Sequence, residues 1–365
     1  MSGGVDSSTT AALLVERGYE VIGVMMRLWS EPPSLVLSGA ANAAEQFASN
    51  RCCSPEAVAD ARGVAQRLGL PFYLLNFEDD FKTHVVNFFL DGYARGITPN
   101  PCLECNRAVK FGVLLEKARA LGADYLATGH YARVRESNGK FELLRGIDPK
   151  KDQSYALSVL TQAQLSQALF PLGEYRKDET REIARRFGLR VSEKDESQDL
   201  CFIADGEYRN FLRRNIPNAL QPGDIVDTHG TVLARHEGLP LYTIGQRKGL
   251  NVAVGEPLYV LDLDTRRNAV VVGRRDELGK RELVAGRVNW IAGQAPRLPV
   301  RVSAKIRYRA SEAAATITAV EPGSERAGEQ VRVTFDEPLR DITPGQAVVF
   351  YDEAVCLGGG VIQHG

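Results

Sequence analysis

Ser2-Gly3-Gly4-Val5-Asp6-Ser7-Ser8 opens the chain, and its reading decides the fold. Paired glycines let a backbone approach an anion closely. The pattern over 7–17, stopped by Gly18, predicts a helix directly behind them, which offers unpaired N–H groups and the positive end of its dipole. Serine hydroxyls can donate to phosphate oxygens, and Asp6 can hold a Mg2+ or orient a phosphate through it. A lone Ser-Gly-Gly is a commonplace turn. The whole heptapeptide at a helix start reads as a phosphate loop, and it lacks the lysine of the P-loop.

Outward from this loop, helix and strand alternate. Residues 20–26 read as a buried strand. Ser54-Pro55 sets an N-cap with proline at the first helical position, and Gly69 closes that helix. A strand over 71–77, a long helix over 81–93, a turn-rich loop over 96–106, a helix over 107–121 and a strand over 124–128 follow. Such alternation means an α/β fold with a parallel sheet covered on both faces. A nucleotide fold of this kind feeds its loop from a first strand. Here the loop begins at Met1, so we expect a misplaced start codon and a short strand rich in Val, Ile or Ala encoded upstream.

Further on, 161–169 and 178–187 predict helices, and 192–199 is a polar, acidic loop. Past Pro222 the texture changes to short alternating segments between Gly and Pro turns, at 224–226, 259–263, 269–272, 300–308, 315–320, 330–335 and 347–351. These suffice for a small β-rich domain followed by a β-barrel. Residues 32–50 read as an insertion.

The chain has 365 residues, 44% hydrophobic and 25% charged, the balance of a soluble globular protein of two or three domains. It has no apolar run long enough to span a membrane and no signal peptide, so a cytoplasmic location is expected. A net charge of −1 decides nothing about nucleic acid, because binding needs a local patch. Residues 273–309 hold ten Lys or Arg against three Asp or Glu, a candidate phosphate grip or simply a solvated face.

Six cysteines in a chain of this length make no disulfide scaffold and read as buried, metal-binding or catalytic thiols. Cys105 lies in Thr98-Pro99-Asn100-Pro101-Cys102-Leu103-Glu104-Cys105-Asn106, at the entry of the helix expected over 107–121. A helix start favours thiolate over thiol, so Cys105 is a candidate nucleophile. Cys102 and Cys105 also read as a zinc half-site, but the adjacent Cys52 and Cys53 lack the spacing of a second pair. Cys201 before Phe202-Ile203 reads alone as core. Paired with Cys105 on mobile segments, it suits persulfide delivery and resolution through a disulfide. Cys356 reads as core.

The loop resembles that of the N-type ATP pyrophosphatases, and the whole chain resembles the tRNA-specific 2-thiouridylases. Beyond the loop and Thr98 to Asn106, the resemblance rests on Ala127-Thr128-Gly129-His130-Tyr131, Lys151-Asp152-Gln153-Ser154-Tyr155, Cys201-Phe202-Ile203, Gly245-Gln246-Arg247-Lys248-Gly249 and Thr343-Pro344-Gly345-Gln346, in that order. It implies an ATP-pyrophosphatase domain over 1–205 with a helical extension, a small β-rich domain over 206–275 and a tRNA-binding β-barrel over 280–365. It implies an ATP site built by Met1, Ser2, Gly3, Gly4, Val5, Asp6 and Ser7, with Met26 and Gly129, and Mg2+ accompanying the nucleotide. Cys105 is then the nucleophile and Cys201 the persulfide carrier. Asn100, Pro101 and Cys102 contact the target base, and Lys151, Asp152, Gln153, Arg307 and Tyr308 contact tRNA, with His130 and Gln346 as further tRNA sites.

The implied partners are tRNAs for lysine, glutamate and glutamine, and a cysteine desulfurase or sulfur-relay protein. The implied activity is 2-thiolation of a wobble uridine through an adenylated base. Position 102 is Asp in the best-known members and Cys here. Cys102, Cys105 and Cys201 could therefore also hold an iron–sulfur cluster. Another ATP pyrophosphatase, such as a lysidine or amidotransferase-type synthetase, is the rival enzyme. A non-catalytic RNA-binding protein is the rival from a different class.

Overall fold

The computed structural model describes residues 1–31, 54–194, 200–203, 207–252, 255–320 and 329–364. The insertion at 32–50, Cys52-Cys53 and most of the acidic loop lie outside these residues. The chain forms two compact units that interleave in sequence. One comprises Met1–Val86, Cys102–Tyr208 and Ala354–Cys356, the other Asn87–Pro101, Arg209–Glu353 and Leu357–Gly365.

In the first unit the glycine loop runs into the helix Val5–Glu16, whose face of small and apolar residues is buried. The helix Pro55–Leu68 starts as its sequence dictates. Ser54 Oγ accepts from Ala57 N at 3.2 Å, Pro55 takes the first position, and Gly69 closes in the left-handed region at φ 70°. Parallel strands pair Gly23–Arg27 with Phe72–Asn76, and Leu126–Ala127 with Ala168–Leu169. Among the described residues these are two separate pairs, so the expected parallel sheet is divided. A hairpin, Ala132–Ser137 with Lys140–Arg145, turns on Asn138 and Gly139, both at positive φ. Its Leu143 pairs with Cys356, which is fully buried as expected of a core residue.

The second unit is mostly β. A four-stranded sheet contains Gly223–Val226, Val232–His236, Tyr259–Asp264 and Ala269–Gly273. Six strands, Lys280–Trp290, Val300–Lys305, Ala313–Ala319, Val331–Leu339, Ala347–Asp352 and Val355–Ile362, form a barrel closed by the pairing of the first with the last. Their inward residues, among them Ile317, Val333, Phe335 and Phe350, make a continuous apolar core. The stretch Asn87–Pro101 packs within this unit, where Phe89 meets Phe211 edge-on at 6.0 Å between ring centroids.

Three arginines of the basic run at 273–309 pair with carboxylates that lie outside it. Arg301 forms a two-pronged bond with Asp336 at 2.7 and 2.8 Å, and Arg274 and Arg281 pair with Glu256 and Glu337. The hydrogen-bonded guanidinium of Arg301 holds Asp336 below the usual carboxylate range. Of these three arginines, only Arg281 meets a carboxylate on the strand paired with its own.

Candidate functional site

Gly4 caps the first helix without any side-chain bond to its leading N–H groups, which leaves them for a ligand. Gly3 stands at φ 69°, and a Cβ there would lie 2.5 Å from the Ala57 carbonyl oxygen. Only glycine lets the loop lie so close to the neighbouring helix. Ser7 braces the turn: its Oγ accepts from Ser2 N at 3.0 Å and lies 3.2 Å from the Gly4 carbonyl. Gly129 backs the same turn. A Cβ at Gly129 would fall 2.9 Å from the Asp6 carbonyl carbon and 3.0 Å from Ser7 N. The structure therefore brings Gly129 onto the loop across 123 positions of sequence. Met26 sits near the end of the adjacent strand.

The Asp6 carboxylate is already engaged. Lys177 Nζ donates to its two oxygens at 2.7 and 2.9 Å, and the Tyr131 hydroxyl donates at 2.8 Å. Neither Lys177 nor Tyr131 stood among the residues picked from sequence for a role. Tyr131 lay inside a quoted motif, and Lys177 carries no local signal because its partner is 171 residues away. Among the described residues, no group of three His, Cys, Asp or Glu side chains is placed to hold a metal ion. A Mg2+ here would be carried in on the phosphates of a nucleotide, as this ion commonly is, and not held by a protein cage. The same finding means that Cys102, Cys105 and Cys201 do not form a ready-made three-thiol cluster.

The thiol helix begins earlier than the sequence suggests. Helix starts at Pro101, whose missing N–H costs nothing at the first position, and continues through a π-helical stretch Cys105–Leu114. Cys102, exposed, therefore occupies the first turn, where the dipole acts most strongly, and Cys105 is buried one turn further in. This corrects the expectation that Cys105 marks the helix entry. Asn106 follows, 2% exposed, and its amide donates to the Ala156 carbonyl at 2.8 Å.

Cys201 sits in a tight turn. Ile203 N donates to the Leu200 carbonyl at 3.1 Å, and Phe202 and Ile203 are buried, with Phe202 edge-on to Phe81. Upstream, Lys194 pairs with Asp60 at 2.6 Å and Arg181 donates to the Ser192 carbonyl.

Several residues expected to touch tRNA spend their polar groups within the protein. Asp152 accepts from Gly146 N, Ser154 N and Ser154 Oγ, and Gln153 Oε1 accepts from Tyr131 N. Arg307 donates to the Ile244 carbonyl and to Thr343 Oγ1. Gln346 donates to the Thr98 and Pro99 carbonyls. His130 is buried between Phe111 and Phe170 with Nδ1 2.8 Å from Thr128 Oγ1, and burial, then the charge of Lys110, pushes its pKa well below 6.5. Lys151 is half-buried and Tyr308 is 38% exposed.

A glycine loop at a helix start, flanked by parallel strands and followed by two β domains, defines a nucleotide-binding α/β protein of the HUP type. Residues 1–205 match the family described as tRNA methyl transferase HUP domain. Residues 209–274 match its PRC-barrel domain and residues 280–362 an aminomethyltransferase beta-barrel domain. The chain is 52% identical to the tRNA-specific 2-thiouridylase MnmA of Moorella thermoacetica, over 100% of this chain and 98% of the relative. It is 51% identical to that of Heliobacterium modesticaldum, over 99% and 91%, and 47% identical to that of Clostridium perfringens, over 100% and 97%. The chain belongs to the tRNA-specific 2-thiouridylase family. No helix among the described residues is long and apolar enough to cross a membrane.

Proposed function

We propose that this protein is an ATP-dependent tRNA sulfurtransferase that replaces the C2 oxygen of a wobble uridine with sulfur. The observation that carries the reading is a phosphate loop backed by Gly129, in a chain whose relatives are named for this activity. ATP enters with Mg2+ on its phosphates, and the uncapped N–H groups behind Gly4 take phosphate charge. The C2 oxygen of the everted uridine attacks the α-phosphate, and pyrophosphate leaves. A persulfide on Cys201, loaded by a cysteine desulfurase or relay protein, delivers its outer sulfur to C2 and AMP departs. The Cys105 thiolate then attacks the Cys201 sulfur, leaving thiouridine and a Cys105–Cys201 disulfide. Asn100, Pro101 and Cys102 border the base, in the domain division 1–205, 206–275 and 280–365.

Two other readings remain open to experiment. The family description speaks of methyl transfer, and a lysidine or amidotransferase-type synthetase would use the same loop. Neither needs a thiol pair. The test is mass spectrometry of nucleosides from tRNA treated with enzyme, ATP and a cysteine desulfurase with free cysteine as the sulfur source. Sulfur-for-oxygen exchange at uridine, lost in Cys105→Ser and Cys201→Ser, is the expected outcome. A methylated base, or modification that survives both replacements, would overturn the proposal.

A further inference from the structure

A carboxylate inside a phosphate loop is an electrostatic contradiction, since it repels the ligand the loop is shaped to hold. The chain resolves this with a lysine in an unfavourable place. Lys177 opens the helix Lys177–Arg186, where the dipole disfavours a cation, and it is only 8% exposed. A buried ammonium is costly unless paired and hydrogen-bonded. Its pairing is with Asp6, at 2.7 and 2.9 Å to the two oxygens. The Lys177 side chain is 9% exposed and that of Asp6 34%, so the ammonium is the more deeply buried partner of the pair. Tyr131 completes the clamp, with its hydroxyl also 3.1 Å from Thr180 Oγ1, itself bonded to the Arg176 carbonyl. Lys177 N donates to Asp148 at 3.1 Å, which fixes the helix start.

We infer that Lys177 is the fixed counter-charge of the phosphate loop: a positioning residue that cancels the charge of Asp6 and holds its carboxylate so that a nucleoside triphosphate can enter. The inference rests on the reading of this loop as the ATP site.

The experiment measures MgATP affinity of the full chain by equilibrium dialysis, with tRNA affinity and pyrophosphate release in parallel. Lys177→Met orphans the Asp6 charge and is expected to weaken MgATP binding by at least about tenfold, the scale of a broken charge pair near a surface, with tRNA affinity unchanged. Adding Asp6→Asn to Lys177→Met removes that charge, so the double variant is expected to regain most of the nucleotide affinity while pyrophosphate release stays low. A residue needed only for folding would give no such recovery. Unchanged affinity in Lys177→Met, or a double variant that binds no better than the single, overturns the inference. If Lys177→Met alone does not fold, the double variant decides: near-parental affinity supports the counter-charge, and weak binding overturns it. Gly4→Val separates the two levels. If it binds MgATP as well as the parent, the loop reading fails and this inference with it. If it loses binding while Lys177→Met does not, only the counter-charge fails.

Discussion

The side-chain amide of Gln346 donates to the Thr98 carbonyl at 3.0 Å, tying the barrel turn Thr343 to Gln346 to the loop that leads into Asn100 and Pro101. Thr98 N answers by donating to the Pro344 carbonyl at 3.0 Å. Gln346 therefore holds the loop proposed to border the base. Gln346→Ala should cost about 1 kcal/mol of stability, the ordinary worth of a side-chain hydrogen bond, and lower thiolation several-fold through a looser loop. Thermal unfolding together with kcat/KM for tRNA checks this. Gln346→Glu, which presents only acceptors to two carbonyls, should be worse than alanine.

Gly129 offers a sharper lesion. The 2.9 Å approach of a Cβ to the Asp6 backbone cannot be absorbed by a side-chain rotation, because the obstacle is main chain. Gly129→Ala should displace the loop and weaken ATP binding at least tenfold while tRNA binding persists. Parental ATP affinity in this variant would show that the loop does not need its backing.

Protonation of His130 should destabilise the fold. Its folded pKa lies well below 6.5 because burial and Lys110 disfavour the imidazolium. The unfolded chain therefore binds the proton first. Stability is fully present above about pH 6.5 and is lost as pH falls from there toward the folded value. Denaturant midpoints between neutral and mildly acidic pH should show this slope, and His130→Asn should flatten it. An unchanged slope would mean that other groups dominate.

The three thiols should separate by role. Cys201→Ser should lose labelled persulfide sulfur yet still release pyrophosphate in the presence of tRNA. Cys105→Ser should still load Cys201 and make no 2-thiouridine. Cys102, exposed in the first helical turn, should alkylate faster than the buried Cys105. Thiolation by Cys102→Ser in air without iron would dispense with a three-cysteine cluster, whereas its loss together with iron content would reinstate one.

Arg301→Ala should barely alter tRNA affinity or its salt dependence, because its guanidinium already satisfies Asp336. A drop of about one in the slope of log affinity against log salt would show instead that Arg301 exchanges its partner for a phosphate.

The fold was legible where local chemistry is strong. Ser54, Pro55 and Gly69 bound their helix as their residue types require, and the glycine loop announced the α/β unit. The hairpin at Asn138-Gly139 carries an equally strong local signal, two residue types that tolerate positive φ. The start of the thiol helix was misjudged because proline reads as a loop former, yet at a first helical position it is at home. Of the site, the loop residues and Gly129 were visible as motif. Lys177 was not, because a lone lysine at a helix start gives no hint of an aspartate that folding alone brings to it. Along the basic run at 273–309, likewise, the sequence does not show that Arg301 meets Asp336, because that partner lies 35 residues further on.

If Cys201 is the persulfide carrier proposed above, the turn around it sets a condition on whatever supplies its sulfur. With Phe202 and Ile203 embedded and Leu200 bonded back to Ile203, the Cys201 Cα is held ~3.8 Å from that of an immobilised neighbour. Within residues 200–203 the thiol therefore sits in a compact turn and not on an extended arm. The donor's thiol would then have to come to this turn and leave before the base is served. The rate of sulfur loading would then depend on how closely the donor's cysteine can approach the Cys201 turn.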